Sequence, residues 1–494
     1  MNASVIIGLE GLPDMALYGV PLVFLFLVGA ITFLIPVGLI SSELAVGWPG
    51  GGGVYGWVDA AFGRRPAVLA VWCQWVQILV WYPTGLSFCA ATFAYIFDPK
   101  LAENPTFVMI VVTIIFWTVT LLNFRGLKTS GVVAAVGLVL GTILPTLLVI
   151  LFAAIWWMSD HPIAIPEQNR GFFPKLEGIR GLAIAAGMIT FYSGLEVNAV
   201  HGLRISKPRT SIPFAMILSA SIVLTIYIFG SLGIAMILPP EKIRADLNVG
   251  PMEMFRVFLE THNLGMLSPV LAACVCIGVL GHISTWVIGP TEAIRRAAQR
   301  RDLPAIFGKT NRHDVPTPLL IIQALIVTAM TLPFLFLKDV STAFLILTAL
   351  SGTVYLVMYI MMFAAAIRLR YSKPQIERHF EVPGGMLGIW LVSGIGILIS
   401  IVALILSFIP PAADQVDVGN PYLYVGLEVG IFCIVVLIGL LCPCILNACQ
   451  ITSKPEKTYR QAMPPHISCM LAKSSKTLLL VDCVFASSSS LARR

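Results

Sequence analysis

Four carboxylates in this 494-residue chain stand inside or at the edge of long apolar runs: Glu43, Glu196, Glu292 and Glu428. A charge in hydrocarbon is expensive, so each is expected to bind, couple or anchor something. Glu43 and Glu292 sit close to the ends of their runs, where water is near, and Glu428 lies toward the outer end of the last run. Only Glu196 is deep in an otherwise apolar stretch, Thr190-Phe191-Tyr192-Ser193-Gly194-Leu195-Glu196-Val197-Asn198-Ala199. Ser193-Gly194 is a weak point there, because glycine costs a helix up to ~1 kcal/mol relative to alanine. A break at that pair would present backbone N–H groups, carrying partial positive charge, to a ligand carboxylate. Tyr192 would add a ring wall and a hydroxyl. The alternative is a continuous helix with one small-residue contact, and Glu196 as a hydrogen-bond anchor. Aromatic side chains at mid-run are candidate gates: Trp81 and Tyr82 just before the kink-forming Pro83, then Trp286 and Tyr355, although each also suits ordinary packing. His201, five residues after Glu196, is a candidate pH sensor or a plain interfacial residue. No imidazole is expected at mid-span.

The same residues offer little to an enzyme. There is no HExxH, no pair of carboxylates on a shared face and no Ser/His/Asp set with workable geometry. Neither a cofactor nor a metal is expected. The ten cysteines lie mostly in or beside apolar runs, without ligand spacing or a disulfide framework.

The elements that must position these groups follow from composition. Hydrophobic residues make up 57% of the chain and charged ones only 12%, about half the ~25% of soluble domains. Mean hydropathy is +0.89. Such a chain cannot cover a soluble globule, and it is too apolar for disorder. Continuous rather than alternating apolar runs exclude a β-barrel. The class is an all-α polytopic membrane protein. Apolar segments run at roughly 19–46, 66–97, 105–124, 130–158, 179–203, 210–238, 264–294, 316–337, 341–367, 385–409 and 421–447. Before them stands a stub, Met1 to Leu12, too short to cross ~30 Å of hydrocarbon. Counting it gives about 12 spans, the first truncated at the N-terminus.

Loop charge orients the chain. Alternating from the first full segment puts 17 Lys and Arg in inside loops and eight in outside loops, with seven more in the tail. That bias places both termini in the cytoplasm. The net charge of +7 is then loop bias, with no nucleic acid implied. Gly50 to Gly53 and Trp57 read as a tight turn into a short interfacial helix anchored by its tryptophan. Residues 159–180 form a polar outer loop. Residues 239–263 form another, with helical periodicity at Met252, Met254, Phe255, Phe258 and Leu259. Transporters built from inverted repeats pair two broken helices, the first of each repeat. That pattern assigns 1–158 to a first repeat with a partial first span and 179–370 to a second. Residues 385–447 hold two further spans, and 448–494 form a cytoplasmic tail. The stub then supplies only the second half of a broken helix, and an upstream start is expected.

Several motifs, in order, resemble the amino acid–polyamine–organocation transporters, and within them the bacterial glutamate/GABA antiporters. They are Ile35-Pro36-Val37-Gly38-Leu39 with Glu43-Leu44-Ala45, Gly52-Gly53-Val54-Tyr55-Gly56-Trp57-Val58, Tyr192 to Glu196 with His201, and Trp286-Val287-Ile288-Gly289-Pro290. Leu303-Pro304, Val315-Pro316, Val382-Pro383-Gly384-Gly385 and Ile409-Pro410-Pro411 follow. The resemblance covers the stub to about residue 411. It implies a LeuT-type 5+5 inverted repeat plus two helices, alternating access, and exchange of an amino acid for its decarboxylated product in a bacterial inner membrane. It also implies a substrate held near Ala3, Ser4, Ser193 and Gly194, with Trp286 and Tyr355 closing the pocket. Partners are then a small amino acid and the lipid bilayer, for a monomer or homodimer. Two departures stand out: Glu10 replaces a neutral or basic residue, and the tail beyond about Tyr459 lacks the antiporters' C-terminal plug. The competing functions are an amino-acid:proton symporter, which the expected lack of a mid-span histidine weighs against, and a transport-defective sensor.

Overall fold

In the computed structural model the described residues are 6–50, 52–175, 178, 182, 186–197, 199, 207–245, 249–332, 340–410 and 421–453. The chain divides into two compact units, Met1–Pro443 and Cys444–Arg494, and the functional geometry lies in the first. Its elements are all helices, with no strand among the described residues. A short N-terminal helix, α1 (Leu12–Ala16), leads into α2 (Pro21–Gly47), α3 (Val54–Phe62), α4 (Arg64–Ala94), α5 (Pro105–Asn123) and α6 (Leu127–Met158). After the broken segment come α7 (Pro208–Ile237), α8 (Pro240–Ala245), α9 (Gly250–Thr261) and α10 (Ser268–Gln299). The last four are α11 (Thr317–Thr331), α12 (Val340–Ser372), α13 (Gly385–Ser407) and α14 (Pro421–Ser453).

Among the described residues nine helices are long and apolar enough to cross a membrane. α11 is apolar but only 15 residues long, and the run expected at 179–203 is interrupted. The 316–337 run continues past Leu332 into residues outside those described, and Ser193-Gly194 breaks the other run.

Side-chain burial separates a hub from a rim. In α4, 89% of the most apolar window is buried and in α12 72%, against 33% in α6, 28% in α13 and 17% in α14. A central helix cannot be merely greasy: α4 carries buried Gln74, Gln77, Thr84 and Ser87, which must find partners inside. Helix starts follow ordinary rules. Asn104 caps α5 by accepting the N–H groups of Thr106 and Phe107 at 3.0 and 3.2 Å, with Pro105 in the first turn. Residues Gly137–Ile143 of α6 widen into a π-helical turn. There the backbone meets α10 directly: a Cβ on Gly141 would lie 2.0 Å from the nitrogen of Gly278, and one on Gly137 would lie 2.7 Å from the Cα of Gly281. Only glycine permits that approach.

Trp57 does not anchor α3 in a headgroup layer. It is fully buried, as is Tyr55, because α3 packs against α4 and α12. The expected helix in 239–263 is α9, with Met252, Met254, Phe255, Phe258 and Leu259 all buried.

Candidate substrate site

The backbone breaks where the sequence is weakest. A 3-10 turn, Met188–Tyr192, ends at Ser193 in extended geometry (φ −77°, ψ 148°), and Gly194 follows at φ +114°. The N-terminal segment is also unwound, at residues 7 and 8 just before α1. Unwinding frees carbonyls, and neighbouring side chains satisfy them. The Tyr227 hydroxyl donates to the Ile6 carbonyl at 2.7 Å and lies 3.3 Å from that of Phe191, bridging the two irregular segments. His282 Nδ1 lies 3.0 Å from the Ile7 carbonyl. A carbonyl only accepts, so Nδ1 carries the proton and Nε2 is left over.

Between these segments lies a small cavity. Ile6 and Glu10 wall it from the N-terminal segment, and Thr190, Phe191 and Ser193 from the break. Gln77 and Trp81 come from α4, His282 and Trp286 from α10, and Thr348, Ser351 and Tyr355 from α12. Three lining atoms are enclosed without a partner among the described residues: Ser193 Oγ, Gln77 Oε1 and Thr348 Oγ1. Buried polar atoms are rarely left so, and three around one cavity form a hydrogen-bonding template for a ligand. The Gln77 amide is fixed by donating to Ser351 Oγ at 3.1 Å. The Trp81 ring lies 5.2 Å from the His282 imidazole, and Trp286 packs edge-on to Tyr355 at 6.2 Å.

Glu196 is 1% exposed and stands behind the wall. It accepts from Tyr359 at 2.6 Å, from Gln74 at 3.3 Å, and from Tyr355 in a short hydrogen bond. Tyr359 in turn accepts the Gly194 N–H at 2.7 Å. The Gly194 amide expected to face a ligand is therefore occupied. The result is a relay in which cavity-lining Tyr355 touches Glu196, Glu196 touches Tyr359, and Tyr359 holds the broken backbone.

Of the residues singled out from the sequence, Ser193, Trp286, Tyr355 and Trp81 line the cavity. Tyr192 is fully buried beside it, donating to the Phe26 carbonyl at 2.8 Å. Tyr82 turns toward α5 and α11, against the Phe116 ring and 3.4 Å from Gln323 Nε2. Glu43 closes the far end of the bundle. It takes both Nε and Nη2 of Arg370 at 2.7 Å and the Val382 N–H at 2.8 Å, about 22 Å along α12 from Tyr355. Glu292 pairs with Arg295 at 2.5 Å. Glu428 is enclosed in α14 with both oxygens unpartnered among the described residues. Ala3, Ser4 and His201 lie outside the described residues.

The expectation of no mid-span histidine is overturned. His282 is in the middle of α10, 7% exposed, and faces the cavity. An imidazole is tolerated there because the unwound N-terminal segment supplies a carbonyl for its N–H. Sequence reasoning also passed over Gln77, Thr348, Ser351 and Tyr359. The spacing 348, 351, 352, 355, 359 is a polar and small stripe on one helix face, a signal available in the sequence.

Comparison with known proteins accounts for this architecture. The amino acid permease family model matches residues 1–439. The chain belongs to that family, within the amino acid–polyamine–organocation transporters. An uncharacterised transporter of Legionella pneumophila is 35% identical over 430 residues, covering 87% of this chain and 92% of the relative. A glutamate/gamma-aminobutyrate antiporter of Lactococcus lactis is 32% identical over 419 residues, covering 84% and 83%. A probable agmatine/putrescine antiporter of Lactococcus lactis is 25% identical over 397 residues, covering 79% and 82%. This permease is a membrane transporter, not an enzyme.

Proposed function

We propose that this permease is an antiporter exchanging glutamate, or a related amino acid, for its decarboxylated product such as GABA. The observation that carries the reading is the cavity between two unwound segments, ringed by unpartnered hydroxyl and amide oxygens. In an inverted-repeat transporter such a place holds the amino and carboxylate groups of substrate. Ser193, Gln77 and Thr348 bind the polar atoms, Trp286 and Tyr355 cover the ligand, and Glu196 couples ligand contact to the break through Tyr355 and Tyr359. The architecture is a LeuT-type 5+5 inverted repeat with two added helices, both termini cytoplasmic, in a bacterial cell membrane. Ala3 and Ser4 belong to the same ligand shell in this reading, and His201 to its cytoplasmic side.

A proton symporter is the second reading, and His282 favours it, since an imidazole in the cavity wall can carry a proton. Uptake of radiolabelled glutamate into proteoliposomes, with and without internal GABA, at about pH 5.5 and 7.5, separates the two. Exchange requires internal GABA. Uptake driven by a proton gradient into empty vesicles refutes antiport.

A further inference from the structure

Two acids on the N-terminal segment have no role in the relay just described. Glu10 lines the cavity. Asp14, in α1, follows after four residues, and Tyr18, just past the end of that helix, after four more. Glu10 and Asp14 are near enough to repel one another when both are ionised, and the neutral Tyr18 phenol is the next polar group beside Asp14. All three are only partly covered, while Gly11, Leu12, Pro13, Met15 and Ala16 between them are buried. The Asp14 Oδ1 and the Tyr18 hydroxyl are nevertheless enclosed without a partner among the described residues. The row ends at the 159–178 loop, where Asn169 accepts the Val20 N–H at 3.0 Å and donates to the Leu17 carbonyl at 3.3 Å. It therefore leads from the cavity to the face expected to be extracellular.

An acidic row alone is not a site. Here its inner end opens on a cavity where Ser193 and Gln77, 7% and 5% exposed, each hold an unpartnered oxygen. The other titratable lining groups are His282, Tyr227 and Tyr355, and no Lys or Arg lines the cavity among the described residues. We propose that Glu10 is the subsite for an ammonium group and that Asp14 and Tyr18 form its approach from outside. A partly buried carboxylate without a cation is unfavourable, and an arriving ammonium supplies both charge and N–H donors. The preferred ligand then carries an amine at the end that meets Glu10, as an ω-amino acid does. A side-chain carboxylate at that end is repelled and enters only when protonated. This rests on the reading of the protein as an amino-acid exchanger and names the ligand class that its pocket prefers.

The test is thermal-shift titration of the purified full-length protein with GABA, glutamine and glutamate at about pH 7.5. Wild type is expected to bind GABA more tightly than glutamate. Glu10→Gln is expected to lower the affinity ratio of GABA to glutamine about tenfold, as for loss of a charged hydrogen bond, and Asp14→Asn, which removes a second negative charge from the approach, to lower it in the same direction by about twofold. Asp14 does not line the cavity, so its variant reports even where the Glu10 variant fails to fold. A ratio unchanged in the variants, or tighter binding of glutamate than GABA by wild type, overturns the proposal and leaves the exchanger intact. A shift in the pH dependence of glutamine binding with the ratio unchanged assigns the acids to a proton instead, and also overturns it. No stabilisation by any of the three ligands removes the exchanger reading together with the subsite.

Discussion

The Tyr359 hydroxyl joins the broken backbone to the buried carboxylate, and Tyr359→Phe removes it without changing the shape of the core. Two hydrogen bonds go: the Gly194 N–H loses its acceptor at 2.7 Å, and Glu196 loses a donor at 2.6 Å. The amide is then a buried donor without a partner, which costs about 1–3 kcal/mol. A hydrogen bond to a charged group contributes about 1.5–3 kcal/mol. The sum is about 2.5–6 kcal/mol, all of it local to the break, since the ring keeps its contact with Phe33 at 4.9 Å. Expected outcomes are a lower unfolding midpoint in detergent and slowed exchange, with hydrogen exchange accelerated at residues 188–197. Tyr355→Phe is the control. It also loses a bond to Glu196, but it leaves the Gly194 amide satisfied and acts mainly on ligand affinity, because Tyr355 lines the cavity. A Tyr359→Phe protein with wild-type midpoint and wild-type exchange would refute the relay.

Ser193→Ala deletes an unpartnered hydroxyl, so stability should stay within about 0.5 kcal/mol while the KM for substrate rises about tenfold; unfolding curves and uptake kinetics check both halves. Glu43→Gln strips the charge from a carboxylate holding Arg370, with Arg378 3.5 Å away, and should cost about 3–5 kcal/mol. Its readout is a lower midpoint and greater thiol labelling of cysteines introduced at the Glu43 end of the bundle. Gly141→Leu places a side chain where 2.0 Å is free and should yield aggregated protein on size exclusion, while Gly394→Leu, with nothing near its Cβ, should not.

Spans and break were legible for different reasons. Long apolar runs announce themselves, because only a bilayer makes them soluble. The break at Ser193-Gly194 and the depth of Glu196 could be read because a glycine and a lone carboxylate are each costly in an apolar helix. The neutral polar lining was less visible. Gln77, Thr348 and Ser351 are cheap enough in a helix to pass as ordinary, and only the neighbours in space decide that they face a cavity. His282 depends on still longer range, since its N–H is satisfied by Ile7, 275 residues earlier. Tyr192 and Tyr82 illustrate the converse. Their positions beside a break and a proline suggested a ligand wall for Tyr192 and a gate for Tyr82, yet their hydroxyls are engaged in hydrogen bonds within the packed bundle.

The glycine contact between α6 and α10 carries a mechanical consequence. Two backbones in direct contact have no side chain between them to flex, so they transmit displacement without slack. α10 holds His282 and Trp286 in the cavity wall, while α6 turns most of its surface outward. The pair is therefore expected to move as one body, with His282 and Trp286 at one side and the outward face of α6 at the other. A transport rate that varies with acyl-chain length at constant ligand and pH is the expected outcome, checked in vesicles of defined lipid.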